Sequence, residues 1–242
     1  MDVAALTEQL TEHGTRLADA AERAGLDTPV PSCPEWDVRA LLAHVGMVHR
    51  WAATTVRGGR GTADDYPAPE TGVVEWFRDG HDALVAALRG APGDLAAWTF
   101  LPAASPLTFW ARRQAHETAI HRADAEAAAS AVPVFDPGFA LDGLGELLEG
   151  FHSRRGGHLK ADPGFVLHVV PADAAVTWSV QVRPDGRTVT RDGGPPADCT
   201  LSGAATDLYL QLWNRTPAGP VTVTGDERAL TTWRELARIT WS

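Results

Sequence analysis

Glu117 and His121 stand four residues apart in the segment WARRQAHETAIHRADAE. If that segment is helical, both side chains project from one face at adjacent turns. Carboxylate oxygen and imidazole nitrogen are both good zinc donors, so a single helix would offer two ligands to one ion. His44 is the candidate for a third. It lies three residues after Leu41 and four before Val48, on the apolar inward stripe of its own segment, where an uncompensated imidazole is costly. Three protein ligands leave one coordination position open, as in catalytic zinc sites. A second reading stays open on spacing alone. Arg113 lies four residues before Glu117, so the pair also fits a solvated charged face, and an inward histidine is often a hydrogen-bonded core residue.

The other reactive residue types give weaker signals. His13 shares the inner stripe of the first helix and is a candidate for contact with substrate or with a ligand's far side. His116 is rotated about a third of a turn from the Glu117 face and is expected to pack or hydrogen-bond. His49 and His81 read as helix-surface residues. Cys33 has no activating neighbour in its Pro-rich surroundings. Trp51 and Trp110 are candidates to line a pocket.

These residues need helices to hold them, and the first part of the chain supplies the pattern. Leu6, Leu10, His13, Leu17, Ala20 and Ala24 recur at spacings of three and four, with Gly25 as a stop. After the connector LDTPVPSCPEWD a second helix starts near Asp37 and ends before Gly58. A third carries Val73, Trp76, Phe77, Leu84 and Leu88. A fourth is expected from about Thr108 to Ala129, and a fifth from Phe139 to about His152. Beyond residue 158 the period becomes strand-like: FVLHVVP, AVTWSVQV and RTVTRD form a β-meander. A strand ADCTLSG, a helix AATDLYLQLW, a strand VTVTGD and a closing helix from Glu227 to Ile239 follow. The expected fold class is therefore α+β, with a helical domain over 1–158 and a small α+β domain over 159–242.

Bulk properties narrow the function classes. The 242 residues carry 31 acidic against 21 basic side chains, a net charge of -10 that disfavours nucleic acid without a local basic patch, and none is visible. No run approaches about 20 apolar residues, so no membrane span is expected. The N-terminus lacks a basic stretch followed by an apolar one, so no signal peptide is expected either. Two isolated cysteines, Cys33 and Cys199, exclude a disulfide scaffold and a Cys-rich zinc finger, and point to a cytoplasmic location. Arginine supplies nearly all the positive charge, Lys160 being the only lysine, which suggests a GC-rich bacterial genome.

Two segments carry a family resemblance. VPSCPEWDVRALLAHVGMVHRWA resembles the second-helix signature of the mycothiol-dependent maleylpyruvate isomerase family, within the DinB-like four-helix-bundle superfamily, and RRQAHETAIHRADAE resembles its fourth-helix signature. DCTLSGAATDLYLQLWNRTPAGPVTVTGD is similar to the family's C-terminal domain. The resemblance implies an actinobacterial, DinB-like bundle with zinc held by His44, Glu117 and His121, and mycothiol as the thiol cosubstrate. It further implies attack of the activated thiol on a small-molecule electrophile, giving either cis–trans isomerisation or S-transfer. His116 departs from the isomerase motif, which leaves the substrate open with a slight lean to isomerase. Two alternatives of other classes are a metal-dependent hydrolase, with water in the open position, and a non-catalytic metal- or ligand-binding bundle.

Overall fold

A computed structural model describes residues 1–153 and 159–237. The chain divides into two compact units, Met1–Pro133 and Val134–Ser242.

The first unit is a four-helix bundle of α1 (Val3–Ala24), α2 (Val38–Val56), α3 (Val73–Gly90) and α4 (Pro106–Ala128). Its ends obey local chemistry. Asp2 caps α1 by accepting from Ala5 N at 2.8 Å, Asp37 caps α2 through Ala40 N at 2.8 Å, and Ser105 caps α4 through Thr108 N at 3.1 Å, with Pro106 at the first position. Gly25 ends α1 with φ +86°, a conformation that favours glycine. Leu17, Leu41, Leu42, Val45 and Phe77 form part of a fully buried cluster, each worth roughly 1.5–3 kcal/mol of transfer free energy. Helix α1 lies along α4, and α2 along α3. Close approach is allowed by small residues: Gly14 leaves room for the His81 ring, and Gly46 for the Trp76 ring.

Helix α4 differs from its neighbours. Residues on all its faces are buried, including Arg113, Gln114, His116, Glu117, His121, Arg122, Asp124 and Glu126. It is the polar spine of the bundle, which is why its sequence lacks an apolar stripe.

The second unit opens with α5 (Pro137–Gly145), which continues as a π-helical turn over Glu146–Gly150 and a short 3₁₀ turn over Phe151–Ser153. The structure thus differs from the boundary expected at 158: α5 belongs to the second unit. Aromatic packing explains the difference. Tyr209 of α6 (Ala205–Leu212) meets Phe135 and Phe139 edge-on at 5.4 and 6.4 Å, tying α5 to that unit's own core.

Five strands, β1 (Phe165–Pro171), β2 (Trp178–Arg183), β3 (Gly186–Arg191), β4 (Cys199–Gly203) and β5 (Thr222–Gly225), form one sheet in the order β3-β2-β1-β4-β5. β1, β2 and β3 are the expected meander, with Leu167 opposite Val180 and Val180 opposite Val189. β4 runs parallel to β1, placing Cys199 beside Leu167, and β5 closes the edge antiparallel to β4. α6 joins β4 to β5, and α7 (Arg228–Leu236) follows; Ile239, the expected end of that helix, lies outside the described residues. No helix among the described residues is long and apolar enough to cross a membrane.

Candidate metal centre

Helices α2 and α4 bring His44, Glu117 and His121 together. One ligand atom of each lies within 4.8 Å of the other two. His44 Nε2 is 3.2 Å from Glu117 Oε1, and His121 Nε2 is 3.3 Å from the same oxygen. Two donors held about 2.0–2.1 Å from a zinc ion at the tetrahedral angle are about 3.3–3.4 Å apart, so these spacings fit such an ion. The rings of His44 and His121 stand edge to face at 5.2 Å, converging on Glu117 from two sides.

Each member is held from behind. Arg113, one turn before Glu117, donates from Nη2 to Glu117 Oε2 at 3.2 Å, leaving Oε1 to face the histidines. The solvated-face alternative does not hold, because the Arg113 and Glu117 side chains are only 1% and 5% exposed. His121 donates from Nδ1 to Asp124 Oδ2 at 2.9 Å, and Ser32 donates from Oγ to Asp124 Oδ1 at 2.5 Å. This carboxylate–imidazole pair fixes the tautomer, with Nε2 directed at the site. Trp36 packs its ring 4.9 Å from His44 and 5.9 Å from His121.

Ser32, Trp36 and Asp124 were missed in the sequence. Ser32 and Trp36 belong to the Pro-rich connector, which folds back on itself through Val30 N–Trp36 O at 2.9 Å and Trp36 N–Cys33 O at 2.8 Å. That folding is not a periodic signal. Asp124 had one: it stands three residues after His121, within reach on the same helical face.

Charge balance follows from these contacts. Burial opposes ionisation of Glu117, but hydrogen bonds from His121 and His44 and the Arg113 charge outweigh it and hold the carboxyl well below its ordinary range. Burial likewise disfavours a charged His121, yet its bonds to Asp124 and Glu117 win and raise its pKa to about 9. Without a metal the site thus holds an ionised carboxylate beside an imidazolium. A divalent cation can take the place of that proton.

The other candidates lie elsewhere. His13 is buried near Arg122 and Arg16, and burial, with those two positive charges, pushes its pKa down to about 2. It is not part of the candidate cluster of His44, Glu117 and His121. His116 is fully buried, in line with a packing role. His49 and His81 are not surface residues as expected: they are 0% and 4% exposed. Thr118 gives its hydroxyl hydrogen to Gln114 O at 2.7 Å, so His49 Nε2–H donates to Thr118 Oγ at 2.8 Å. His81 donates to Leu10 O at 3.0 Å. The hydrogen bond at each Nε2 makes these interior imidazoles tolerable, although His49 Nδ1 is buried without a partner. Cys33 and Cys199 are free thiols. Trp110 is buried, whereas Trp51 is partly exposed.

Comparison with protein families matches residues 7–126 to the mycothiol maleylpyruvate isomerase N-terminal domain and residues 138–232 to the MDMPI C-terminal domain. The chain belongs to the mycothiol maleylpyruvate isomerase family. Two solved structures share the fold of this family member. A histidine-to-alanine variant of the mycothiol-dependent maleylpyruvate isomerase has 14% identity and TM-score 0.60, and the unsubstituted enzyme has 14% identity and TM-score 0.58. Each alignment covers 93% of this chain and 93% of the other. Comparison with curated proteins finds no match.

Family membership places the chain among thiol-dependent enzymes of the isomerase and transferase type.

Proposed function

We propose that this family member holds zinc through His44, Glu117 and His121 and uses mycothiol to attack an electrophilic small molecule, with isomerisation slightly favoured over S-transfer. The observation that carries the reading is the convergence of two imidazole nitrogens on one oxygen of a buried carboxylate, at 3.2 and 3.3 Å, in a chain of this family. A bound zinc ion supplies Lewis acidity that favours the thiolate form of a thiol at its open position.

The chain's own residues prepare the site. Arg113 fixes the rotation of the Glu117 carboxylate, and Asp124 fixes the His121 ring, so little reorganisation is left for the moment of reaction. Trp36 packs an apolar ring against both imidazoles. Glu117 gives one negative charge to the centre, so a divalent ion with two neutral imidazoles retains net positive charge for a thiolate to balance. In the isomerisation, the sulfur adds to a conjugated double bond whose electron pair moves onto the carbonyl. The resulting single bond rotates, and the pair returns to expel the thiolate. In S-transfer the sulfur is retained and a leaving group departs with its electron pair.

The test incubates metal-loaded protein with mycothiol and separate electrophiles, among them maleylpyruvate and an aryl halide, and follows products by mass spectrometry. Isomer with thiol regenerated supports isomerase, and a stable conjugate supports S-transferase. Cobalt-substituted protein adds a second readout, because a thiolate ligand gives a near-ultraviolet charge-transfer band. Neither band nor turnover with mycothiol, together with thiol-independent ester hydrolysis, would overturn the reading in favour of a hydrolase.

A further inference from the structure

The face of α2 that carries His44 continues beyond it as an apolar track. Met47 and Trp51 follow within about two turns, or roughly 10 Å, on the same side, and both are partly exposed. No charged side chain of α2 shares this face; Arg39 and Arg50 point away from it. The track ends on Trp98, in the loop between α3 and α4. Trp98 is 60% exposed, whereas most of the large hydrophobic side chains are buried, and its ring lies 6.4 Å from Trp51.

This loop is built, not loose. Fully buried Trp110 donates from Nε1 to the Trp98 carbonyl at 3.0 Å and meets Trp51 edge-on at 5.2 Å. Trp51 in turn donates to Gly61 O at 3.0 Å. Both supporting indoles therefore have fixed orientations, and Trp98 is presented to solvent from a rigid base. Trp110 stands two turns before Glu117 on α4, as Trp51 stands two turns after His44 on α2. The aromatic group and the His–Glu–His cluster consequently occupy one seam between the same two helices.

We infer that Trp98, with Trp51 and Met47, forms the acceptor site of the reaction, and that the electrophile it takes is uncharged, flat and apolar, an aromatic or aryl-conjugated compound in place of a small dicarboxylate. An exposed indole backed by a second aromatic ring recognises a π-face, and the adjoining thioether adapts to its edge. A dicarboxylate would need cations along this track, and α2 places none on this face. The inference rests on the thiol-transfer reading for its name as an acceptor site, but the surface itself is tested by binding alone.

The experiment measures equilibrium dialysis of 2-naphthol against the full-length, metal-loaded protein without thiol, with maleate as competitor. Saturable binding is expected, weakened about three- to tenfold in Trp98→Ala and in Met47→Arg, and unaffected by excess maleate. Both positions are solvent-accessible, and circular dichroism of each variant checks that the fold is retained. Absence of binding, binding unchanged in both variants, or displacement by maleate would overturn the inference. Thiol turnover is scored separately. Mycothiol-dependent turnover of maleylpyruvate that ignores Trp98→Ala removes the acceptor assignment while leaving the thiol chemistry standing. Trp98-dependent 2-naphthol binding in a protein inert toward thiols upholds the surface and removes the thiol chemistry.

Discussion

Asp124→Asn separates two things that Asp124 does at once. The carboxylate is fully buried and accepts the His121 Nδ1 proton at 2.9 Å, which directs Nε2 and makes it a more basic donor. Such a partner behind a ligating histidine is worth about 10- to 100-fold in metal affinity. The same bond, with that to Glu117, overcomes burial and raises the His121 pKa to about 9 when no metal is present. About one His121 in a hundred is then neutral at pH 7, so proton competition weakens metal binding by about 100-fold there. Asparagine can still accept from Nδ1, but it lacks the charge, and the His121 pKa falls back toward 6.5. Loss of donor strength and relief from proton competition therefore oppose each other near neutrality. Above pH 9 the competition is absent from both proteins and only the loss remains. Zinc affinity measured against a chromogenic chelator should lie between about eightfold tighter and unchanged at about pH 7, and be about 10- to 100-fold weaker at about pH 9.5. A loss of the same size at both pH values, or none at the higher one, would refute this account of Asp124.

His121→Ala should abolish most zinc uptake, as read by elemental analysis, whereas His116→Ala should leave it near one ion per chain, because only His121 shares the Glu117 cluster; equal loss in both would overturn the ligand assignment. Stability should fall on both sides of neutrality in metal-free protein. His13 and His49 have lowered folded pKa values, so the unfolded chain binds more protons below 6.5, and stability drops as pH falls, by up to about 2.7 kcal/mol per pH unit for the two. His121 has a raised one, so its contribution is complete below 6.5 and is lost as pH rises through about 9. Denaturant midpoints across pH check both arms, and saturating zinc should remove the alkaline arm while steepening the acid one, because bound zinc holds His44 and His121 deprotonated. Gly46→Ala should cost about 1–3 kcal/mol, seen as a lower thermal midpoint, since the added methyl would overlap the Trp76 ring; an unchanged midpoint would show that α2 and α3 can separate freely.

The sequence was most informative where chemistry and helical period coincide. Glu117 and His121 could be read together because four residues make a turn, and His44 because it interrupts an apolar stripe. The same rule failed along the rest of α4. A helix buried on every side need not alternate, so spacing alone leaves the solvated-face alternative for Arg113 and Glu117 open, and nothing in HRADAE marks Asp124 as buried. His49 and His81 were misjudged for a related reason: polar side chains satisfied by Thr118 and by the Leu10 carbonyl can lie inside, and those partners are about 70 residues away in sequence. Strand order was legible through the meander, but the parallel pairing of β4 with β1 needed the three-dimensional path. The position of α5 was decided by Tyr209, far along the chain, and no local composition change announced it.

Trp110 holds the loop before α4 by the main-chain carbonyl of residue 98, not by the indole that residue carries. The path of the loop is thus independent of which side chain stands at its tip. A lineage can exchange that side chain without disturbing the helices, the buried carboxylates or the imidazoles behind them. Divergence in acceptor range is then open to single-codon steps, and a saturation library confined to position 98 would sample it in a scaffold that stays folded.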